Sequence, residues 1–229
     1  MNLAVMQPYL FPYIGYFHLI YAADLFLIYD DVHYIKQGFV NRNNVLSANG
    51  VTRFSVPVPG GSSNRLISEL EFSPNVEKIL RTIEQCYSKT PYFEPVFKIV
   101  QDTLKFEDRR IASVCQKGFN DILAYLEIDK TFRRTSELEY DRNRPAQERL
   151  IEFCRTFGAD RYINTPGGRA LYTRKDFTEH GIDLRFVDPI PVEYCQGTAE
   201  FVPYLSIIDI LMHCSPGETR ALLTQYTLA

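Results

Sequence analysis

The sequence predicts an α/β fold: a five-stranded, mostly parallel sheet carrying an antiparallel hairpin and a helical segment. Short apolar runs bounded by turn residues ("NLAVM", "LFLIYDD", "RYINT", "IDLRFVD") have the length and composition of buried strands. Helical segments alternate with them, as crossovers between parallel strands require. The first two runs are joined by a helix within about thirty residues, which is a βαβ unit with right-handed connection.

Taken in order, "NLAVM" is a buried strand ending at Gln7. "PYLFPY" is extended or turning, because each proline biases its predecessor away from helix. "GYFHLIYAA" forms a short helix and "LFLIYDD" the second strand. The polar "DDVHYIKQGFVNRNN" is a loop, and "VLSANGVTRFSVPV" is a hairpin turning at Asn49-Gly50. "PGGSSN" is a flexible connection. Residues 74–126 read as helical, with segments at 76–87, 92–105 and 109–126, an insertion or cap within a single domain spanning 1–229. Strand "TFRRTS", the amphipathic helix "PAQERLIEFCRTFGA" and strand "RYINT" follow. The turn "PGGRALY", strand "IDLRFVD", helix "LSIIDILMH" and a capped final helix "SPGETRALLTQY" complete the chain. In a Rossmann-like sheet of this kind, ligands bind beyond the carboxyl ends of the strands, which singles out the loops after Met6, Asp30 and Asn164.

Composition narrows the function classes. The chain has 229 residues, 45% hydrophobic and 23% charged, with a formal charge of -3, so extended nucleic-acid binding is disfavoured while contact with a single RNA end, such as that of a tRNA, stays open. Its five cysteines are far apart and form no C-x-x-C pair, which argues against a disulfide framework or zinc site and suits a reducing cytoplasm. No metal is expected. Between Met1 and Tyr29 the only charged residue is Asp24, yet no basic start precedes the apolar stretch, and Pro8 and Pro12 break any continuous span. Neither a signal peptide nor membrane insertion is expected.

Three segments carry residues suited to chemistry. In the first, Gln7 offers donor and acceptor, Gly15 lets a group approach the start of a helix, and Tyr9, Tyr13 and Tyr16 add flat faces and hydroxyls. A nucleotide or sugar nucleotide suits that surface, and so does simple packing of the sheet corner. In the second, Asp30 and Asp31 precede His33, and carboxylate beside imidazole is the minimum for a tuned general base. Lys36 and Arg42 can hold phosphate, with Asn41 between them, or the whole stretch can be a solvated loop. In the third, Gly167 and Gly168 after Asn164 can expose amides to an oxyanion or phosphate, or simply form a tight turn. His18 reads as a buried, satisfied histidine, His180 as a helix-end cap, and Asp209 with His213 as an intrahelical pair. No thiol has an activating neighbour, and Cys195 alone falls on a loop.

The blocks "MQPYLFPYIGYFHLI", "LIYDDVHYIKQGFVNRNNVL", "ERLIEFCRTFGADRYINTPGGRALY" and "FVPYLSIIDILM" together resemble the WbqC-like family of bacterial proteins. That resemblance implies a role among surface-polysaccharide and O-antigen (lipopolysaccharide) genes, in acyl or aminoacyl (for example glycyl) transfer to a sugar amine. A second likeness is to the HIGH-motif nucleotidyltransferases. Here Tyr13-Ile14-Gly15-Tyr16 stands where their histidines would be and no KMSKS-like loop is present, so it bears on fold more than on adenylyl transfer.

The expected function is a cytoplasmic transferase acting on a nucleotide-linked amino sugar. His33 would be the base, assisted by Asp30 or Asp31; Lys36 and Arg42 would grip the diphosphate. Gln7, Tyr9, Tyr13 and Gly15 would shape the ligand pocket, and Asn164, Gly167 and Gly168 the acyl side. Acyl-CoA, aminoacyl-tRNA and ATP remain open as donor. ATP-dependent nucleotidyl or ligase chemistry, or ligand binding without turnover, are the competing readings.

Overall fold

The computed structural model describes residues 1–198 and 200–229. β1 (Asn2–Met6) is followed by α1 (Ile14–Ala22) and β2 (Leu25–Ile28), which pairs with β1 in parallel register, Leu3 with Leu25 and Met6 with Ile28. β3 (Arg42–Ser47) and β4 (Gly50–Ser55) form the antiparallel hairpin, turning at Asn49-Gly50. Three helices follow, α2 (Glu77–Tyr87), α3 (Phe93–Leu104) and α4 (Ile111–Tyr125), close to the expected segments. β5 (Thr131–Arg134), α5 (Ala146–Phe157), β6 (Arg161–Asn164), α6 (Arg174–Thr178) and β7 (Asp183–Pro189) resume the parallel pattern. α7 (Ile207–His213), α8 (Pro216–Leu223) and β8 (Tyr226–Leu228) close the chain.

The main sheet has six strands in the order β5-β2-β1-β6-β7-β8, parallel except for β8. It therefore exceeds the five expected by one. The stretch "TQY" leaves the helix because α8 ends at Leu223; Tyr226–Leu228 then satisfies the free edge of β7, Val187 opposite Leu228. A three-residue edge strand has no periodicity of its own to read, so only its partner defines it.

Side-chain alternation divides the core into two layers. Leu3 and Val5 of β1 join α5 and α6 through Leu150, Phe153, Cys154 and Phe177. Ala4 faces the other layer, where α1, the hairpin, α2–α4, α7 and α8 pack. Among the described residues no helix is long and apolar enough to cross a membrane.

The loop between β1 and α1 is held by a specific set of hydrogen bonds. Phe11 is left-handed (φ 45°), a conformation disfavoured for a side chain of that size. Its carbonyl accepts from the Asn43 Nδ2 and the Ser206 Oγ, each at 2.7 Å. Backbone bonds flank it: Leu10 donates to the Val40 carbonyl, Ile207 to Pro12 and Ser206 to Asn44. Loop, hairpin and the N-terminus of α7 are thus one unit. Beside it, the buried Asp209 carboxylate accepts from the hydroxyls of Tyr87 (2.7 Å) and Tyr194 (2.6 Å) and from Gln196 Nε2 (3.1 Å). The Tyr87 hydroxyl in turn accepts from the Leu46 amide, so the hairpin hangs on the same carboxylate.

Removing the Asn43 amide should be costly, since it is buried and holds both Phe11 and the Asn44 amide. Asn43→Ala is expected to lower unfolding free energy by about 1–3 kcal/mol in urea titration. Asn43→Asp, although isosteric, is expected to lose at least as much, because it sets a carboxylate oxygen against the Phe11 carbonyl. Stability within about 0.5 kcal/mol of wild type for both would mean that the loop is held by other contacts.

Candidate ligand site at the carboxyl rim of the sheet

Strand order fixes where a ligand crevice can form. From β1 the chain steps to β2 and β5 on one side, then crosses back to β6 and β7 on the other. The switch point therefore lies above the carboxyl ends of β1 and β6, at Gln7 and Asn164.

Alternation sends Gln7 to the same face as Leu3 and Val5, toward α5. Tyr29, whose amide donates to the Met6 carbonyl at 2.9 Å, continues β2 beside it. Arg149 of α5 sets its guanidinium 5.5 Å from the centre of the Tyr29 ring. Asn164 is fixed at the end of β6: its Oδ1 accepts from the Thr165 amide and its Nδ2 donates to the Tyr162 hydroxyl. The Tyr172 ring stands edge-on to Tyr162, 6.4 Å away.

Gln7 Oε1, the Tyr29 hydroxyl and Arg149 Nε are each buried with no hydrogen-bond partner. Burial pushes the Tyr29 phenol up to about 12, against the opposing pull of Arg149, so it stays protonated and a donor near neutrality. Two donors and one acceptor are thus left unused at a switch point. An orphaned buried polar group costs about 1–3 kcal/mol, and those of Tyr29 and Arg149 lie side by side, whereas His18, Thr103, Ser113, Glu152 and Thr219 carry further unpaired atoms elsewhere. A guanidinium and a phenol together suit an anionic oxygen, and the Gln7 carbonyl a hydroxyl or amine beside it.

The residues after β2 serve otherwise than a catalytic dyad would. Asp30 accepts from the Ser136 amide (2.9 Å) and hydroxyl (2.7 Å). Asp31 accepts from Thr135 Oγ1 (2.5 Å), the Tyr140 hydroxyl (2.7 Å) and Arg142 Nε (2.8 Å). Burial raises the Asp30 pKa and the Ser136 bonds oppose the rise. Both acids point along the sheet toward the segment after β5, the neighbouring strand, and clamp it. His33 is exposed on the loop beyond them, beside Leu66, and among the described residues no hydrogen bond joins it to either acid. Lys36 is exposed and Arg42 half-buried at the start of β3. Asn41 is used structurally, accepting from the Tyr34 hydroxyl and donating to the Val56 carbonyl.

Gly167 and Gly168 lie in a 3₁₀ turn, Pro166–Ala170, and the Gly168 amide donates within it to the Thr165 carbonyl at 3.0 Å. That amide is therefore committed to the turn rather than offered to an oxyanion. A Cβ on Gly168 would come 2.7 Å from the Asn164 amide nitrogen, so glycine is what lets Asn164 lie over the turn. Gly15 has the matching role at α1: a Cβ there would come 2.7 Å from Cζ of the Tyr13 ring, which folds back across the helix start.

Two cavities flank these elements. The larger, about 540 Å³, runs between α5 and α6 and is lined mainly by polar and charged side chains, among them the hydrogen-bonded pairs Gln147 with Asp176 and Arg155 with His180. It touches none of the strand ends. The second, about 240 Å³, is lined by Tyr9, Pro12, Tyr13, Phe39, Asn43 and Tyr204. Neither is lined by His33, Gly167 or Gly168.

The remaining histidines are structural. His18 donates from Nε2 to the Leu222 carbonyl and burial lowers its pKa, but its buried Nδ1 has no partner, so it is only half satisfied. His213 donates from Nδ1 to the Asp209 carbonyl, and His180 Nδ1 accepts from Arg155. Burial pushes the Cys154 thiol up to about 12 and Cys214 to about 11, while Cys195 is exposed. Among the described residues no group of three His, Cys, Asp or Glu side chains could hold a metal ion. Sequence reasoning missed Tyr29, Arg149 and Tyr172. Tyr29 has a usable signal, an aromatic residue in step with the buried face of its strand; Arg149 has none, being one arginine among several on an amphipathic helix.

Fold and site together define a Rossmann-like α/β protein with unpaired buried polar groups near its topological switch point. The chain belongs to the WbqC-like protein family, whose model matches residues 7–221. It is 27% identical over 217 residues to the uncharacterized protein Rv1507c of Mycobacterium tuberculosis (strain ATCC 25618 / H37Rv), an alignment covering 93% of each chain. No solved structure matches it. Three of the blocks that carry the family resemblance are the ones that meet at Phe11, Asn43 and Ser206.

The Gly15–Tyr13 fit predicts a non-additive pair. Gly15→Ala alone should destabilise or displace the ring. In the Tyr13→Ala background the same change should be neutral or stabilise by up to about 1 kcal/mol, alanine being the better helix former. Thermal unfolding of the double-mutant cycle measures the coupling, and simple additivity would show that the ring does not constrain position 15.

Proposed function

We propose that this protein binds a nucleotide-linked amino sugar at the carboxyl rim and transfers an acyl or aminoacyl group, such as glycyl, to the sugar's amine, in surface-polysaccharide biosynthesis. One observation carries the binding half: the orphaned donors and acceptor of Tyr29, Arg149 and Gln7 gathered at the switch point. The reaction class is the one that the resemblance of the sequence blocks to the WbqC-like family implies. In that reaction the amine attacks the carbonyl carbon of an activated donor, whether acyl-CoA, aminoacyl-tRNA or an acyl adenylate formed from ATP. The C–N bond forms, the bond to thiolate, ribose oxygen or AMP breaks, and the amine's proton passes to a base. Arg149 anchors an anionic oxygen of the nucleotide, with Lys36 and Arg42 as further cations. His33, exposed and free of the acids, is the base in this reading. Ligand binding without turnover is the second reading, and it is favoured by the commitment of Asp30 and Asp31 to Thr135, Ser136, Tyr140 and Arg142.

Arg149→Ala is expected to weaken binding of the sugar nucleotide by about ten- to a hundredfold in calorimetric titration, the loss of a hydrogen bond to a charged group. Tyr29→Phe should leave folding stability within about 0.5 kcal/mol, since its hydroxyl has no partner to lose, yet reduce affinity. Unchanged affinity in both variants places the ligand elsewhere. For turnover, incubation with amino-sugar nucleotides and each donor class should yield a product heavier by the transferred group, and His33→Ala should slow its formation by about a hundredfold or more. Intact binding with no mass increase from any donor establishes the second reading. Pyrophosphate exchange dependent on an amino acid or sugar phosphate would instead establish nucleotidyl chemistry.

A further inference from the structure

The smaller cavity lies where the β1–α1 loop meets the hairpin, on the other core layer from Arg149. Its walls are Tyr9, Pro12, Tyr13, Phe39 and Tyr204, with the buried Asn43 as its one amide, and no charged side chain lines it. The rings are arranged in pairs, Tyr9 with Phe39 and Tyr13 with Tyr204, each at 6.3 Å between centroids. At about 240 Å³ it falls below the roughly 300–1,000 Å³ of sites that enclose a whole drug-sized ligand. It therefore takes one ring system, the rest of the molecule lying outside.

Two further features point to a flat, neutral guest. Tyr204 is 80% exposed and left-handed (φ 61°), and Phe39 is 53% exposed. A bulky residue in that backbone conformation is strained, and here the strain holds an aromatic ring out in water at the cavity mouth rather than burying it. Asn43 is fixed by its bonds to the Phe11 carbonyl and the Asn44 amide, yet each amide atom retains one further hydrogen-bonding position. A rigid donor–acceptor pair is what reads the edge of a nucleobase.

We infer that this aromatic cradle is the base-binding subsite for the nucleotide moiety of the ligand, with Tyr204 stacking on the base and Asn43 reading its edge. The inference rests on the nucleotide-binding reading above and extends it to a separate set of residues.

Ligand-observed NMR and calorimetry with uridine, adenosine, their 5′-monophosphates and a base-free sugar phosphate test it. At least one nucleoside should bind without any phosphate. Tyr204→Ala should weaken nucleoside and nucleotide binding by about tenfold or more, the loss of one stacked base, whereas Tyr204→Phe should bind as wild type. Because Tyr204 is exposed, the melting temperature of Tyr204→Ala should be unchanged, which excludes misfolding as the cause. Nucleotide affinity equal in wild type and Tyr204→Ala, or a base-free sugar phosphate binding as tightly as the nucleotide, overturns the subsite. Sensitivity to Arg149→Ala with indifference to Tyr204→Ala would sink the cradle and leave the crevice standing. The reverse pattern would sink the crevice alone, and no binding by any probe would overturn both.

Discussion

The carbonyl of Phe11 is the point on which the site geometry depends. It belongs to a strained residue, and it stays in place because an amide from the hairpin and a hydroxyl from the N-cap of α7 both donate to it. The loop leaving β1 therefore cannot adjust independently of β3 or α7. Its prolines add stiffness from within, restricting the residues before them. Such a rigid loop can hold Gln7 on one side and Tyr9 and Tyr13 on the other in fixed relation to the sheet. That is the preorganisation a binding site requires.

Buried polar groups at the rim are of two kinds, bonded and unpaired, and the proposed site is built from the second. Asp30, Asp31, Asn43 and Asp209 are bonded: each holds together segments distant in sequence. Tyr29, Arg149 and Gln7 have atoms that hold nothing. Carboxylates, which look catalytic in a linear sequence, are spent here on architecture because an ionised group buried between strands needs several donors to remain charged. The unpaired groups at the rim are a phenol, a guanidinium and an amide, side chains suited to binding and orienting a ligand.

The unpaired groups of Tyr29 and Arg149 and the aromatic cavity lie on different core layers, and the loop from Gln7 to Tyr13 runs between them. A ligand with a flat ring and an anionic portion has a chemically matched surface at each. The glycines at 15 and 168 are the local means: each removes a Cβ so that a neighbouring side chain, Tyr13 or Asn164, can lie flat over a helical start. Side-chain placement at the rim is thus set by backbone clearance as much as by hydrogen bonding.

Local pattern determined which segments are strands and which are helices. Runs such as "NLAVM" and "LFLIYDD" are apolar on both faces, a pattern only a doubly covered strand needs, and α2 at Glu77–Tyr87 and α3 at Phe93–Leu104 follow from their 3.6-residue periodicity. The same logic placed Gln7, Asp30 and Asn164 at strand ends. What the linear order could not hold is which side chain meets which: Asp31 with Arg142, Arg149 with Tyr29, Phe11 with Ser206, and the pairing that makes Tyr226–Leu228 a strand at all. Periodicity is a property of neighbours in the chain, whereas these contacts arise from how two layers close on the sheet. The sequence alone therefore determined the parallel α/β fold and its rim, and the tertiary structure alone decided which polar groups at that rim are already satisfied and which are left unpaired.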